Sequence, residues 1–257
     1  MPITWHEYCK CESEDEMAFS IKATMKLPDG TSIQYDPTKG RPQIRQEQDG
    51  SYSIFGANGA TITGSEQGSR VNIVGGQGVT YNGRGEGQDR VNLYNCNDSK
   101  VNGGGGNDMI NVYGGQNNTA NGGRSGILGA FTNSGNDVIN MYGGNNNTAN
   151  GGNGNDIINN YGNNNKIIGG TGNDRITSYG SSNRIDGGSG NDTIFSRGSY
   201  NNIQGSFGND YISSYGNFNN TGGGWGNDSI NSFGFGNYNN GGFGFDRVNV
   251  NYHRFFG

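Results

Sequence analysis

Six aspartates stand 18 residues apart: Asp156, Asp174, Asp192, Asp210, Asp228 and Asp246. Asp89, Asp108 and Asp137 extend the series upstream at looser spacing, and the triplet Gly-Asn-Asp occurs seven times. A carboxylate set in a Gly-rich turn is a hard oxygen ligand, and the turn's exposed carbonyls are others. Ca²⁺ takes six to eight such oxygens. One turn would supply about half of that shell and the same turn one repeat later the rest. Carboxylates stacked one strand spacing apart would repel each other, and a cation between them removes the repulsion. Gly-Asn-Asp is also good turn chemistry without any metal, with the aspartates facing water.

The elements that hold these turns follow from the period. Each 18-residue unit divides into two nine-residue halves, G-G-x-G-N-D-x-I-x and x-Y-G-x-x-N-x-I-x, with an aliphatic residue eighth in both. Ile176 and Ile185, then Ile194 and Ile203, illustrate the pattern. A fixed repeat over most of a chain reads as a solenoid. Glycines permit the positive φ angles of tight turns. Short strands between the turns each carry one inward aliphatic residue. Two strands per coil make a flattened β-roll with a thin core, and about eleven coils at ~4.8 Å give a rod roughly 50 Å long. The 29-residue step from Asp108 to Asp137 is read as one coil plus a ten-residue insertion, Arg124 to Asn133.

Composition agrees. Gly accounts for 51 of 257 residues, hydrophobic residues for only 29% and charged residues for 15%. An ordinary globular enzyme carries roughly 45–50% apolar residues, so the chain lacks the means for a broad core. Four prolines exclude collagen, and the low charge excludes a charged disordered tail. No run of 18 apolar residues spans a membrane. A net charge of −5 offers no basic surface to nucleic acid. All four prolines precede residue 43 and all 42 asparagines follow residue 57. The expected organisation is an N-terminal cap over 1–49, a roll over 50–250 interrupted at 124–133, and a tail over 251–257. In the cap, Phe19, Ile21, Ala23, Met25 and Leu27 alternate as a strand. Pro28-Asp29-Gly30 forms a turn, and Thr31 to Tyr35 is the return strand. No basic start followed by an apolar stretch marks a Sec signal peptide.

Gly151-Gly152-Asn153-Gly154-Asn155-Asp156 recurs at Gly169 to Asp174 and at Gly187 to Asp192, and drifts at Gly205 to Asp210. This nonapeptide resembles the RTX, or hemolysin-type, calcium-binding repeat. The resemblance covers roughly residues 87–250. It implies an all-β, right-handed parallel β-roll that binds several Ca²⁺ ions through turn carbonyls and aspartates. Carried over residue by residue, it nominates Asp137, Asp156, Asp174, Asp192, Asp210 and Asp228, with the turns at Gly151, Gly169 and Gly187. Asp108 is added, although the insertion follows its turn. Asp246 departs from the pattern because Phe245 replaces the asparagine before it.

The other half-repeat also departs from the family. Its sixth place is asparagine: Asn117, Asn146, Asn165, Asn183, Asn201, Asn219 and Asn237. Neutral amides substitute poorly for carboxylates around Ca²⁺, and stacked amides bond to one another. Metal is therefore expected on one edge only. Tyr94, Tyr113, Tyr142, Tyr161, Tyr179, Tyr215 and Phe233 form a row on the opposite edge, broken at Arg197. Near the C-terminus Phe207, Trp225 and Phe243, each 18 apart, form an aromatic strip. It reads either as a partner- or sugar-binding patch or as an end cap or self-association surface. The apolar tip of the insertion reads as a binding loop or as a loop folded onto the rod.

Cys9 and Cys11 are too close for an easy disulfide and lack zinc spacing. His6 and His253 sit in no catalytic pattern. No aspartate of the series is singled out for catalysis, so no enzyme is expected. The expected function is a calcium-binding roll, secreted by a non-Sec route such as type I or type III export, that folds on Ca²⁺ and serves a structural, adhesive or partner-presenting role. The expected partners are calcium and a protein, glycan or second copy at the aromatic end. The alternatives are a metal-free Asn/Tyr-ladder solenoid that self-assembles and an ice- or surface-binding roll. The irregular file Asn153, Thr171, Ser189, Phe207, Trp225 argues against the last.

Overall fold

The computed structural model describes residues 22–123 and 135–251, with the backbone of a short strand at His6–Tyr8. Cys9, Cys11, His253 and the insertion lie outside the described residues, and nothing is said of the side chain of His6.

Alternating apolar positions build the two walls of a parallel β-solenoid. One sheet has thirteen strands and the other twelve, and consecutive strands of the solenoid fall in opposite sheets. Within a sheet each strand pairs in parallel with the strand one coil away. Ile176 pairs with Ile194 in one wall, and Ile167 with Ile185 in the other. The register absorbs uneven spacing: Val71 pairs with Val91, Val91 with Ile110, and Ile110 with Ile139. The 29-residue step therefore closes in register.

The thin core is the predicted aliphatic stack. Ile158, Ile176, Ile194 and Ile212 line one wall, with Ile167, Ile185 and Ile203 opposite, all fully buried. Each such side chain contributes about 1.5–3 kcal/mol by leaving water. The stack changes character along the rod. Early coils place two apolar residues inward per strand, as with Val91 and Leu93 or Ile139 and Met141. From Asn160 onward the second inward position is polar: Ser178, Ser196, Ser214 and Ser232. The hydroxyls of Ser214, Ser232 and Thr221 are buried without a hydrogen-bond partner.

At the N-terminal end, Lys22–Lys26 and Ser32–Tyr35 form an antiparallel hairpin that pairs with Thr61–Thr63, the first strand of its wall. Met25 and Ile33 from this hairpin join the core. In the other wall Gln43–Gln46 pairs antiparallel with Tyr52–Phe55. Among the described residues, helix is limited to one 3-10 turn at Pro37–Lys39. No helix there is long and apolar enough to cross a membrane.

Candidate metal centre

The Gly-Asn-Asp turns line one edge of the solenoid, and their aspartates point inward. Asp108, Asp137, Asp156, Asp174, Asp192, Asp210 and Asp228 are all buried. One carboxylate oxygen of each aspartate is used by the preceding coil. The backbone N–H of Asp156 donates to Oδ1 of Asp174 at 2.8 Å, that of Asp174 to Asp192, and that of Asp192 to Asp210. The same bond spans the insertion, from the N–H of Asp108 to Asp137 Oδ1 at 2.7 Å. Asp108 is thus in the same arrangement as the others.

The second oxygen is different. Oδ2 of all seven is buried and has no hydrogen-bond partner among the described residues, whereas the buried Oδ2 of Asp89 lies beside the Tyr81 hydroxyl. It lies over the first glycine of its own turn. A methyl group added at Gly151 would collide with Asp156 Oδ2 and with the carbonyl oxygen of Gly169 in the next coil. The same holds at Gly169 against Asp174 and Gly187, and at Gly187 against Asp192 and Gly205. Glycine is required here because a carboxylate oxygen and a carbonyl oxygen converge where a side chain would go.

The opposite edge shows what this arrangement lacks. There the N–H of Asn165 donates to Asn183 Oδ1, and that of Asn183 to Asn201 Oδ1, each at 2.8 Å. The remaining atom of each amide is a donor. Asn183 Nδ2 bonds the carbonyl of Gly162 at 3.1 Å, and Asn201 Nδ2 that of Gly180 at 3.0 Å. An amide closes the turn, whereas a carboxylate leaves an acceptor among acceptors. A hydrogen-bond donor, a proton or a cation would satisfy it.

Burial accordingly holds these carboxyls above the usual carboxylate range. It pushes Asp137, Asp174 and Asp210 up to about 6 and Asp156 and Asp192 to about 7. Asp108 reaches about 8, from burial opposed by the bond it accepts from Asp89 and reinforced by the charges of Asp137 and Asp89. Leaving an unpaired buried charge is costly, and a divalent ion would neutralise the row and bridge its coils. The donors present, carboxylate and peptide oxygen, suit Ca²⁺. Among the described residues no three His, Cys, Asp or Glu side chains cluster. A cation would therefore draw on one carboxylate per coil and on backbone oxygens.

Two corrections to the sequence reading concern the asparagine edge. The buried residues there are Asn118 and Asn147, not Asn117 and Asn146. Asn117 and Asn146 take φ of 57° and 58° in exposed turns, because these coils carry one extra turn residue. The stacked amides on this edge also accept from backbone N–H groups and do not bond their counterparts one coil away, although Asn165 Nδ2 donates to Asn160 Oδ1 within its own coil. Direct amide-to-amide bonds run instead on the outer faces, from Asn92 to Asn72, Asn111 to Asn92 and Asn140 to Asn111.

Sequence reasoning also missed Asp89 as a site residue. Its Oδ2 is buried like theirs, beside the Tyr81 hydroxyl, and burial pushes it up to about 6, but Gln88 precedes it and its only signal was its place in the series. Tyr81, with a buried hydroxyl, packs beside Asp89 and Ser69 at this end of the row. Ser69 stands where the next aspartate would be and donates its N–H to Asp89 Oδ1.

Two segments, residues 141–159 and 160–194, match the family described as RTX calcium-binding nonapeptide repeat (4 copies). Together with the solenoid and its stacked turns, this match supports an RTX-type β-roll. RTX nonapeptide repeats bind Ca²⁺, and several ions are expected along the roll. No curated protein and no solved structure matches the chain.

Proposed function

We propose that this chain is a non-catalytic, exported β-roll that folds when it meets Ca²⁺ outside the cell and then serves as a rigid structural or partner-presenting rod. The observation that carries this reading is the file of seven buried aspartates with one oxygen each left without a partner. Asp108, Asp137, Asp156, Asp174, Asp192, Asp210 and Asp228, joined by Asp89, would hold the ions with oxygens of the turns at Gly151, Gly169, Gly187 and their equivalents. The ions would neutralise adjacent carboxylates and tie one coil to the next. Where sites form only in the folded state, binding free energy is folding free energy. A chain kept unfolded at low cytosolic calcium suits a non-Sec export route.

A second reading has one observation in its favour. The N–H to Oδ1 chain runs on both edges alike, so hydrogen bonds alone could carry a metal-free solenoid. Circular dichroism of EDTA-stripped protein separates the two. The calcium reading expects β signal to appear cooperatively with CaCl₂ and not with MgCl₂. A chain fully folded in EDTA and indifferent to calcium would overturn it.

A further inference from the structure

The strip of Phe207, Trp225 and Phe243 occupies matching positions on three neighbouring strands. These residues are 59%, 58% and 68% exposed, well beyond what a packed side chain shows. Trp225 and Phe243 stack at 4.6 Å between ring centroids. Phe207 makes no ring contact with Trp225 among the described residues, so ring face stays open between them. The tyrosine row is more closely parallel: Tyr94 and Tyr113 stack within 4° and Tyr113 and Tyr142 within 9°, against 29° for Trp225 and Phe243.

Beside the strip runs a file of exposed asparagines. Asn191 Oδ1 accepts the N–H of Asn209, Asn209 Oδ1 that of Asn227, and Asn227 Oδ1 that of Phe245. With Oδ1 engaged, each side chain is held in one orientation and its NH₂ group is left as a donor toward solvent. The surroundings carry almost no charge. From Gly198 to Phe245 the only ionisable acids or bases are Asp210 and Asp228, apart from tyrosines, and both aspartates are buried.

We infer that this strip binds an extended, neutral polysaccharide lying along the rod. The exposed aromatic side chains offer apolar surface to the C–H faces of pyranose rings, and fixed amide donors meet their hydroxyls. The lack of exposed charge between Gly198 and Phe245 fits an uncharged ligand, with the exposed Arg247 just beyond it. The coils advance about 4.8 Å each, close to the length of one pyranose unit in an extended β-1,4-linked chain, so successive sugars meet successive coils. This deepens the partner-presenting role proposed above and requires only that the coils be stacked, whatever stacks them.

The test uses the full chain under whichever condition, CaCl₂ or EDTA, circular dichroism shows to be folded. Binding is measured on insoluble cellulose and chitin, and by calorimetry with their soluble oligosaccharides. The expected result is binding to one of these polymers that falls at least tenfold in Trp225→Ala and is largely retained in Trp225→Tyr, with unchanged dichroism in both. Folded protein that binds neither polymer overturns the inference, as does equal binding by Trp225→Ala. Retention confined to alginate or heparin and abolished by salt also overturns it. So does concentration-dependent dimerisation that Trp225→Ala removes, without sugar binding. A chain that stays folded in EDTA contradicts the calcium proposal alone.

Discussion

The difference between aspartate and asparagine at one turn position decides the character of each edge. Both side chains accept the neighbouring N–H through Oδ1, but only asparagine then has a donor for the turn carbonyls. Asp174→Asn should therefore stabilise the metal-free roll and raise its melting temperature in EDTA, while shifting the calcium midpoint to higher concentration. Asp174→Ala removes the acceptor of the Asp156 N–H and should cost about 1–3 kcal/mol in either condition, read from denaturant midpoints. A second prediction follows from the raised carboxyls. Their protonated forms are favoured in the fold, so this contribution is fully present below the ordinary value of 3.8. It is lost as pH rises through about 6 to 8. In EDTA the melting temperature should fall between pH 5 and pH 8, and saturating CaCl₂ should abolish that fall. The aspartate series was legible because it repeats one local chemistry at one period. The free Oδ2 was not, since it depends on what the adjacent coil presents. Nor was the choice between Asn117 and Asn118, which only the stacking register decides.

Strands and turns share the work unevenly along the rod. Ile185 is fully buried between two neighbours in its file, so Ile185→Ala should cost about 2–5 kcal/mol. The coils after it carry inward serines, and three of their buried hydroxyls lack partners. Hydrogen exchange should therefore find Tyr211–Tyr215 and Ser229–Phe233 less protected than Val138–Tyr142 and Ile157–Asn160, whose inward positions include Ile139, Met141 and Ile158. Uniform protection along the rod would contradict this gradient. The apolar file was visible in the repeat, and Met25 in the alternation that precedes it, whereas the burial of Ile33 was not singled out. The repair of the aromatic row was not. Where Arg197 interrupts it, Phe195 from a different strand position reaches Tyr179 at 5.8 Å and Tyr215 at 5.4 Å.

The whole molecule is a one-dimensional stack, in which each coil meets only the coils on either side and stability is a sum of coil and interface contributions. In the proposed reading, a row of ions along one edge would strengthen every interface it crosses and leave the other edge to hydrogen bonds alone. That asymmetry is the central claim. It is tested most directly by diffraction from crystals grown with CaCl₂, with anomalous data collected where calcium scatters. The account predicts peaks between successive aspartates from Asp108 to Asp228 and none along the edge of Asn165, Asn183, Asn201 and Asn219. An aspartate edge without peaks, or equal peaks on both edges, would contradict it.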